Sequence, residues 1–344
     1  MFKSKTPAKA QLGRMKASYI IPFFALFLCL VSCEDDPPPK SKPVTPKPRV
    51  ETPMFSADSA YAFIQKQVDF GPRVPGTQSH VACGDWMVEK LKSYGANVVE
   101  QTSTVEAYDG TKLPMRNIIA EFEPEKRRRI LLYAHWDTRP FADKDTVRTR
   151  EPIDGANDGG SGVGVLMEVA RLLKDQSPDH GIDIIFFDVE DYGRPEWLPA
   201  DQDIRDWCLG SQYWANNKHK PGYRAKFGVL LDMVGAKNAI FHKEGTSMEL
   251  APGIVDKVWK TGRKLGYTQY FSNQKTPQTV DDNYFVNFEG GIPSANIVHY
   301  NLRGGVRPMG YGFFHHTHQD NMDVIDTQTL DAVGKTIVEL IYQE

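Results

Sequence analysis

Apolar residues in this chain recur with two different periods, and the switches between them mark out its elements. Tyr61, Ile64 and Val68 behind Ser56 lie on one helical face with a cap in front, and residues 81–94 carry a second helix. Short runs rich in β-branched and aromatic residues follow at 97–105, 117–122 and 129–135. Helix and strand then alternate: helix 161–173, strand 182–188, a helix near 211–217, strand 227–233 and helix 251–265. A last helix over 327–342 closes the chain. The strands around 130–133, 182–187 and 229–231 are apolar at successive positions, as strands covered on both faces must be. The pattern predicts an α/β fold: a single domain over 54–344, with a central mixed, largely parallel sheet flanked by helices on both faces.

The N-terminus follows another logic. Lys3, Lys5, Lys9, Arg14 and Lys16 precede an almost unbroken apolar run over 19–31, which falls short of the roughly 20 residues of a membrane span. This is the layout of a secretory signal, and Met15 offers a second start for the same signal. The run ends in Leu30-Val31-Ser32-Cys33, which resembles the lipobox of bacterial lipoproteins. The resemblance implies a signal peptide over 1–32 and lipidation at Cys33. It places the protein in the cell envelope of a Gram-negative-type bacterium, lipid-anchored to a membrane and facing the periplasm or the surface. Residues 33–53, with seven prolines and no apolar pattern, read as a stiff tether. Glu34-Asp35-Asp36 resembles the sorting signal of surface-exported lipoproteins.

Removing that leader changes the charge. The formal net charge is -3 for the whole chain, but the leader holds five basic residues and no acid, which leaves 36 bases against 44 acids, net -8. Such a domain is not drawn to nucleic acid by its field. Of the four cysteines, Cys29 leaves with the signal and Cys33 takes the lipid. Cys83 and Cys208 remain, a candidate disulfide in an oxidising compartment.

Acids and histidines collect where the buried strands end: His135-Trp136-Asp137, then Asp188 with Glu190-Asp191, then Asp232. Functional groups of α/β sheets sit beyond the carboxyl ends of the strands. Asp158 lies in a glycine-rich turn before a helix, and His315-His316-Thr317-His318 comes near the C-terminus. Convergent carboxylates and imidazoles are the donor set of a catalytic zinc, which keeps one position open. The glycines around Ser161 match neither a dinucleotide fingerprint nor a phosphate loop, and Val163 breaks the nucleophile elbow.

His135-x-Asp137, Asn157-Asp158-Gly159-Gly160, Asp188-x-Glu190-Asp191, Leu231-Asp232 and His316-Thr317, in that order, resemble the zinc aminopeptidase clan. Within it the chain is similar to the glutaminyl-peptide cyclotransferases of animal and bacterial type. The resemblance implies zinc held by Asp158, Asp191 and His316, and catalytic roles for Glu190, Asp232 and Asp281. His135, Asp137 and His318 are candidates for a second metal or for support of the first. Trp197, in preference to Trp207, is the candidate wall against the substrate. The expected substrate is a peptide or protein with N-terminal glutamine, cyclised to pyroglutamate with loss of ammonia.

One zinc is expected in a cyclotransferase and two in an aminopeptidase, and all five ligand types of the two-metal site are present. Asp281 argues for the cyclotransferase, because aminopeptidases usually carry Ser or Thr there. Asp191 replaces the Glu ligand of the animal enzymes, His315 a tryptophan, and Asn296 a histidine. A binding ectodomain without catalysis is the remote alternative, and the complete acid and histidine set argues against it.

Overall fold

The computed structural model describes residues 51–199, 203–302 and 310–344. The signal and Cys33 lie outside them. Residues 51–53, assigned above to the tether, already touch the domain: Gln176 donates to the Glu51 carbonyl and Thr52 to Glu339.

Helices α1 (Ala57–Val68) and α2 (Gln78–Ser93) both start on side-chain caps, Ser56 and Thr77. Strands β1 (Asn97–Glu106), β2 (Lys112–Phe122) and β3 (Arg129–His135) follow. Then come α3 (Gly160–Asp175), β4 (Gly181–Phe187), α4 (Leu209–Asn216) and β5 (Gly228–Asp232). A small parallel pair, β6 (Phe241–Lys243) and β7 (Phe271–Lys275), brackets α5 (Gly245–Leu250) and α6 (Pro252–Lys264). The chain ends with α7 (Asp282–Phe288), β8 (Ser294–Val298) and α8 (Thr327–Tyr342). The sequence pattern missed β8 and α7, which at five and seven residues are too short to show a period.

The main sheet has the order β1-β2-β4-β3-β5-β8. β4, β3, β5 and β8 are parallel, and β1 and β2 form an antiparallel flank. The larger core packs α1, α2, α3, α6 and α8 on one face, while Trp214 of α4 and Val286 of α7 cover Tyr133, Phe187 and Leu230 on the other. The expected layering is therefore found. Every residue of β3, β4 and β5 is buried, which explains their unbroken apolar runs.

The candidate disulfide between Cys83 and Cys208 does not form. Cys83 and Cys208 are both free and buried. Cys83 packs in the apolar core, and the Cys208 thiol is turned to Glu190. Among the described residues no helix is long and apolar enough to cross a membrane.

Candidate active site

Parallel register brings the functional strand ends to one level. His135 pairs with Phe187 and Tyr133 with Leu230, so the loops leaving β3, β4 and β5 open on a single rim. The turn carrying Asp158 is fastened from beneath. Arg73, fully buried, donates to the carbonyls of Trp136, Asp154 and Gly155. The Asp320 carboxylate accepts the N–H groups of Asn157 and Asp158 at 2.7 and 3.0 Å. Gly159 has φ +77°, and a Cβ there would lie 2.8 Å from the His135 ring, so only glycine lets Asp158 reach that imidazole. Ser161 donates to the Asn157 carbonyl and accepts from Val234 N–H, a structural role consistent with the failed nucleophile motif.

The acidic pair is aimed by Asp137. Its two oxygens accept the N–H groups of Glu190 and Asp191 at 3.0 and 3.1 Å, so Asp137 supports the acids from behind. Arg139 donates to the Asp191 carbonyl and grips Asp143 with two bonds of 2.7 and 2.6 Å. Asp143 Oδ1 lies 3.4 Å from His316 Nδ1, leaving Nε2 to face the cavity. Although burial opposes it, pairing with Arg139 and His316 holds the Asp143 carboxyl far below its usual range. A carboxylate behind a ligating imidazole orients the ring and raises its basicity. Neither apolar period nor strand-end position points to Asp143, Arg73 or Arg139.

The donors that face the cavity fit a cation. His316 Nε2 is 3.1 Å from Asp191 Oδ1 and 3.9 Å from Asp158 Oδ2. Asp158 Oδ2 and Asp191 Oδ2 are buried with no hydrogen-bond partner, and buried polar atoms of native proteins rarely lack one. Burial, with the Asp158 charge beside it, pushes the Asp191 carboxyl up. A metal ion would satisfy both oxygens and remove that repulsion. His315 also offers a nitrogen within 4.8 Å of donors from Asp158 and His316. It is held by Lys144 Nζ at 2.8 Å and stacks on His316 with centroids 3.7 Å apart.

His135, Asp158 and Asp232 form a second convergent set. His135 Nε2 lies 3.1 Å from Asp158 Oδ1 and 3.3 Å from Asp232 Oδ1. Burial would lower the pKa of this imidazole, but Asp137, Asp158 and Asp232 together raise it well above its ordinary value. The ring nitrogen thus stands between those two carboxylates.

Glu190, Asp232 and Asp281 line the same cavity of about 220 Å³. Burial chiefly drives the Glu190 carboxyl well up, and the nearby charges of Asp191, Asp281 and Asp282 add to it. Burial and the Asp232 charge do the same to Asp281, whose Oδ2 accepts the Asn296 amide at 2.7 Å. Val189, Cys208, Met233 and His316 all have φ between +48° and +59°. Each such backbone costs about 1–3 kcal/mol, and here each carries or adjoins a residue of the site.

Two expectations change. Trp207, stacked on His316 at 6.0 Å, lines the cavity, whereas Trp197 packs edge-on against Phe141 beneath Arg150 and is not part of the lining. His318 binds Asp145 through its N–H and Nδ1 and contributes no donor to either convergent set. Trp136 is structural, buried and stacked on His80.

Residues 117–341 match the model of peptidase family M28. The chain belongs to that family. Its solved relatives include Bacteroides thetaiotaomicron glutaminyl cyclase bound to N-acetylhistamine, at 50% identity and TM-score 0.83, covering 86% of this chain and 100% of that one. A Zn-dependent exopeptidase from Parabacteroides distasonis matches at 49% identity and TM-score 0.82, with 86% and 100% covered. The glutaminyl-peptide cyclotransferase of Bothrops jararaca is 24% identical over 293 residues, 77% of this chain and 75% of the relative. Proteins similar to this chain thus carry cyclase and exopeptidase names, and the residues of the site have to separate the two reactions.

Proposed function

We propose that this M28 enzyme cyclises the N-terminal glutamine of peptides to pyroglutamate, releasing ammonia. The observation that carries the reading is Asp281. It stands on the cavity wall with Glu190 and Asp232, held by Asn296, where an aminopeptidase would present a hydroxyl. A cavity of about 220 Å³ lies below the roughly 300–1,000 Å³ of drug-sized ligand sites, so it suits one residue folded on itself.

Asp158, Asp191 and His316 would hold one zinc, which when bound supplies a Lewis acid for the γ-carbonyl. Glu190 takes a proton from the attacking α-amine and returns one to the departing nitrogen, and burial, which raises its pKa, makes it a better proton acceptor. Asp232 and Asp281 share protons with it and orient the amine. Trp207 forms the flat wall that keeps the side chain in its attack geometry, where proximity supplies much of the rate.

The second reading, a two-metal aminopeptidase, is favoured by the convergence of His135, Asp158 and Asp232. One experiment separates the two: the purified domain is given a glutamine-initiated peptide and, separately, leucine p-nitroanilide, with zinc counted per chain. Pyroglutamate with about one zinc supports cyclisation; free leucine with two overturns it.

The basic leader, apolar run and Leu30-Val31-Ser32-Cys33 support a lipid-anchored envelope protein whose substrates are peptides or proteins reaching that compartment. Cys33→Ser should move the protein from the membrane to the soluble fraction; unchanged membrane retention would remove the lipid anchor.

A further inference from the structure

Cys208 breaks two local rules at once. It occupies the cap position of α4 without making a side-chain cap bond, where Ser, Thr, Asp or Asn is usual. Its φ of +59° is left-handed, where glycine is usual. Both departures serve contact with one residue. The Cys208 N–H donates to the Glu190 carbonyl at 2.9 Å, and its Sγ donates to Glu190 Oε1 at 3.1 Å. Among the described residues no other hydrogen bond reaches the Glu190 carboxylate. Gly210, two residues on, has no room for a Cβ because the Asp188 carbonyl would lie 2.1 Å from it, so the start of α4 is pressed onto the loop that carries Glu190.

Building on the assignment of Glu190 as the proton carrier, we propose that Cys208 is a positioning residue: its thiol holds Oε1 and leaves Oε2 for the substrate. A thiol suits this place because it is a weak donor that costs little to bury. It remains protonated, since burial and the neighbouring Glu190 charge both push its pKa well up. The contact selects a rotamer of the carboxylate without binding its proton tightly, which a residue that must accept and release protons requires.

Cys208→Gly, Cys208→Ser and Cys208→Ala test this through kcat, KM and Tm, measured on whichever substrate the wild-type protein turns over. Glycine suits the left-handed backbone, so Cys208→Gly should keep the wild-type Tm or exceed it. It should nevertheless lose about tenfold in kcat with KM within about twofold, the mark of an interaction used in the chemical step. Cys208→Ser, which restores a donor, should recover to within about threefold of wild type. Wild-type kcat in Cys208→Gly, or equal losses in Gly and Ser variants, overturns the proposal. If Cys208→Ala fails to fold, the Gly and Ser pair decides alone. A wild type that releases leucine and makes no pyroglutamate defeats the cyclase reading separately. The ratios among variants still report on Cys208, because the first acid of the pair carries the proton in either reaction.

Discussion

The two ends of the parallel sheet handle buried charge in opposite ways. At the lower end Arg129 meets Asp183 with two bonds of 2.7 and 2.6 Å, Tyr223 adds a third at 2.7 Å, and the remaining guanidinium donors reach carbonyls such as Phe122 and Ile182. At the upper rim Asp158, Glu190, Asp191, Asp232, Asp281 and Asp282 crowd together, and several of their oxygens lack a partner. The lower network is complete within the chain; the upper one needs a cation from outside. Satisfied buried charge positions strands, whereas unsatisfied buried charge is a receptor.

The sharpest break of this contrast is Glu190→Gln. It should lower kcat by roughly 10²–10⁴-fold while zinc per chain and Tm hold, since it removes a proton carrier and no ligand. Undiminished turnover would take Glu190 out of the mechanism. Asp183→Ala should do the reverse, costing about 3–5 kcal/mol in urea unfolding because it strands Arg129, with little change in kcat of the folded protein. A large loss of zinc in that variant would mean that the two ends are coupled.

Asp143→Asn tests the support behind His316. Zinc affinity should weaken by about 10–100-fold, read by competition with a chelator, and unchanged affinity would make Asp143 a fold residue only.

Metal removal should give the rim a pH signature of its own. Burial is the main cause that raises Asp282 to about 7. An acid whose pKa is higher folded than unfolded binds more protons in the folded state, so its contribution to stability declines as pH rises from about 4 through 7. Chelated protein should therefore lose Tm between about pH 4 and 7, and Asp282→Asn should flatten the slope. A flat profile in the chelated wild type contradicts the burial-raised pKa of Asp282.

The smallest effect has the opposite sign. Asp145 is held down to about 2, first by the His318 N–H. Its contribution is present above the ordinary carboxylate pKa of about 4 and disappears as pH falls towards 2, so Asp145→Asn should matter only above that window. Equal acid midpoints for variant and wild type would show that the contact contributes nothing.

Some residues announce themselves by type and strand position, and their proximity in the folded chain is consistent with that pattern. His135, Asp158, Glu190, Asp191, Asp232 and His316 do converge. The two tryptophans show the limit: both follow the acidic pair, and the one preferred from sequence packs on Phe141 while the other lines the cavity. For Cys208 the sequence suggests only redox chemistry, because nothing in it tells which neighbour a thiol meets.

What the sequence determined by itself is the order of elements and the inventory of donors, since apolar period and strand-end chemistry are local properties. Tertiary structure decided which donors meet and what stands behind them. Asp320 under Asp158, Asp143 behind His316 and Cys208 on Glu190 are contacts between residues 18 to 173 positions apart. Hydrogen bonds reach about 3 Å, and only the folded chain brings such positions that close.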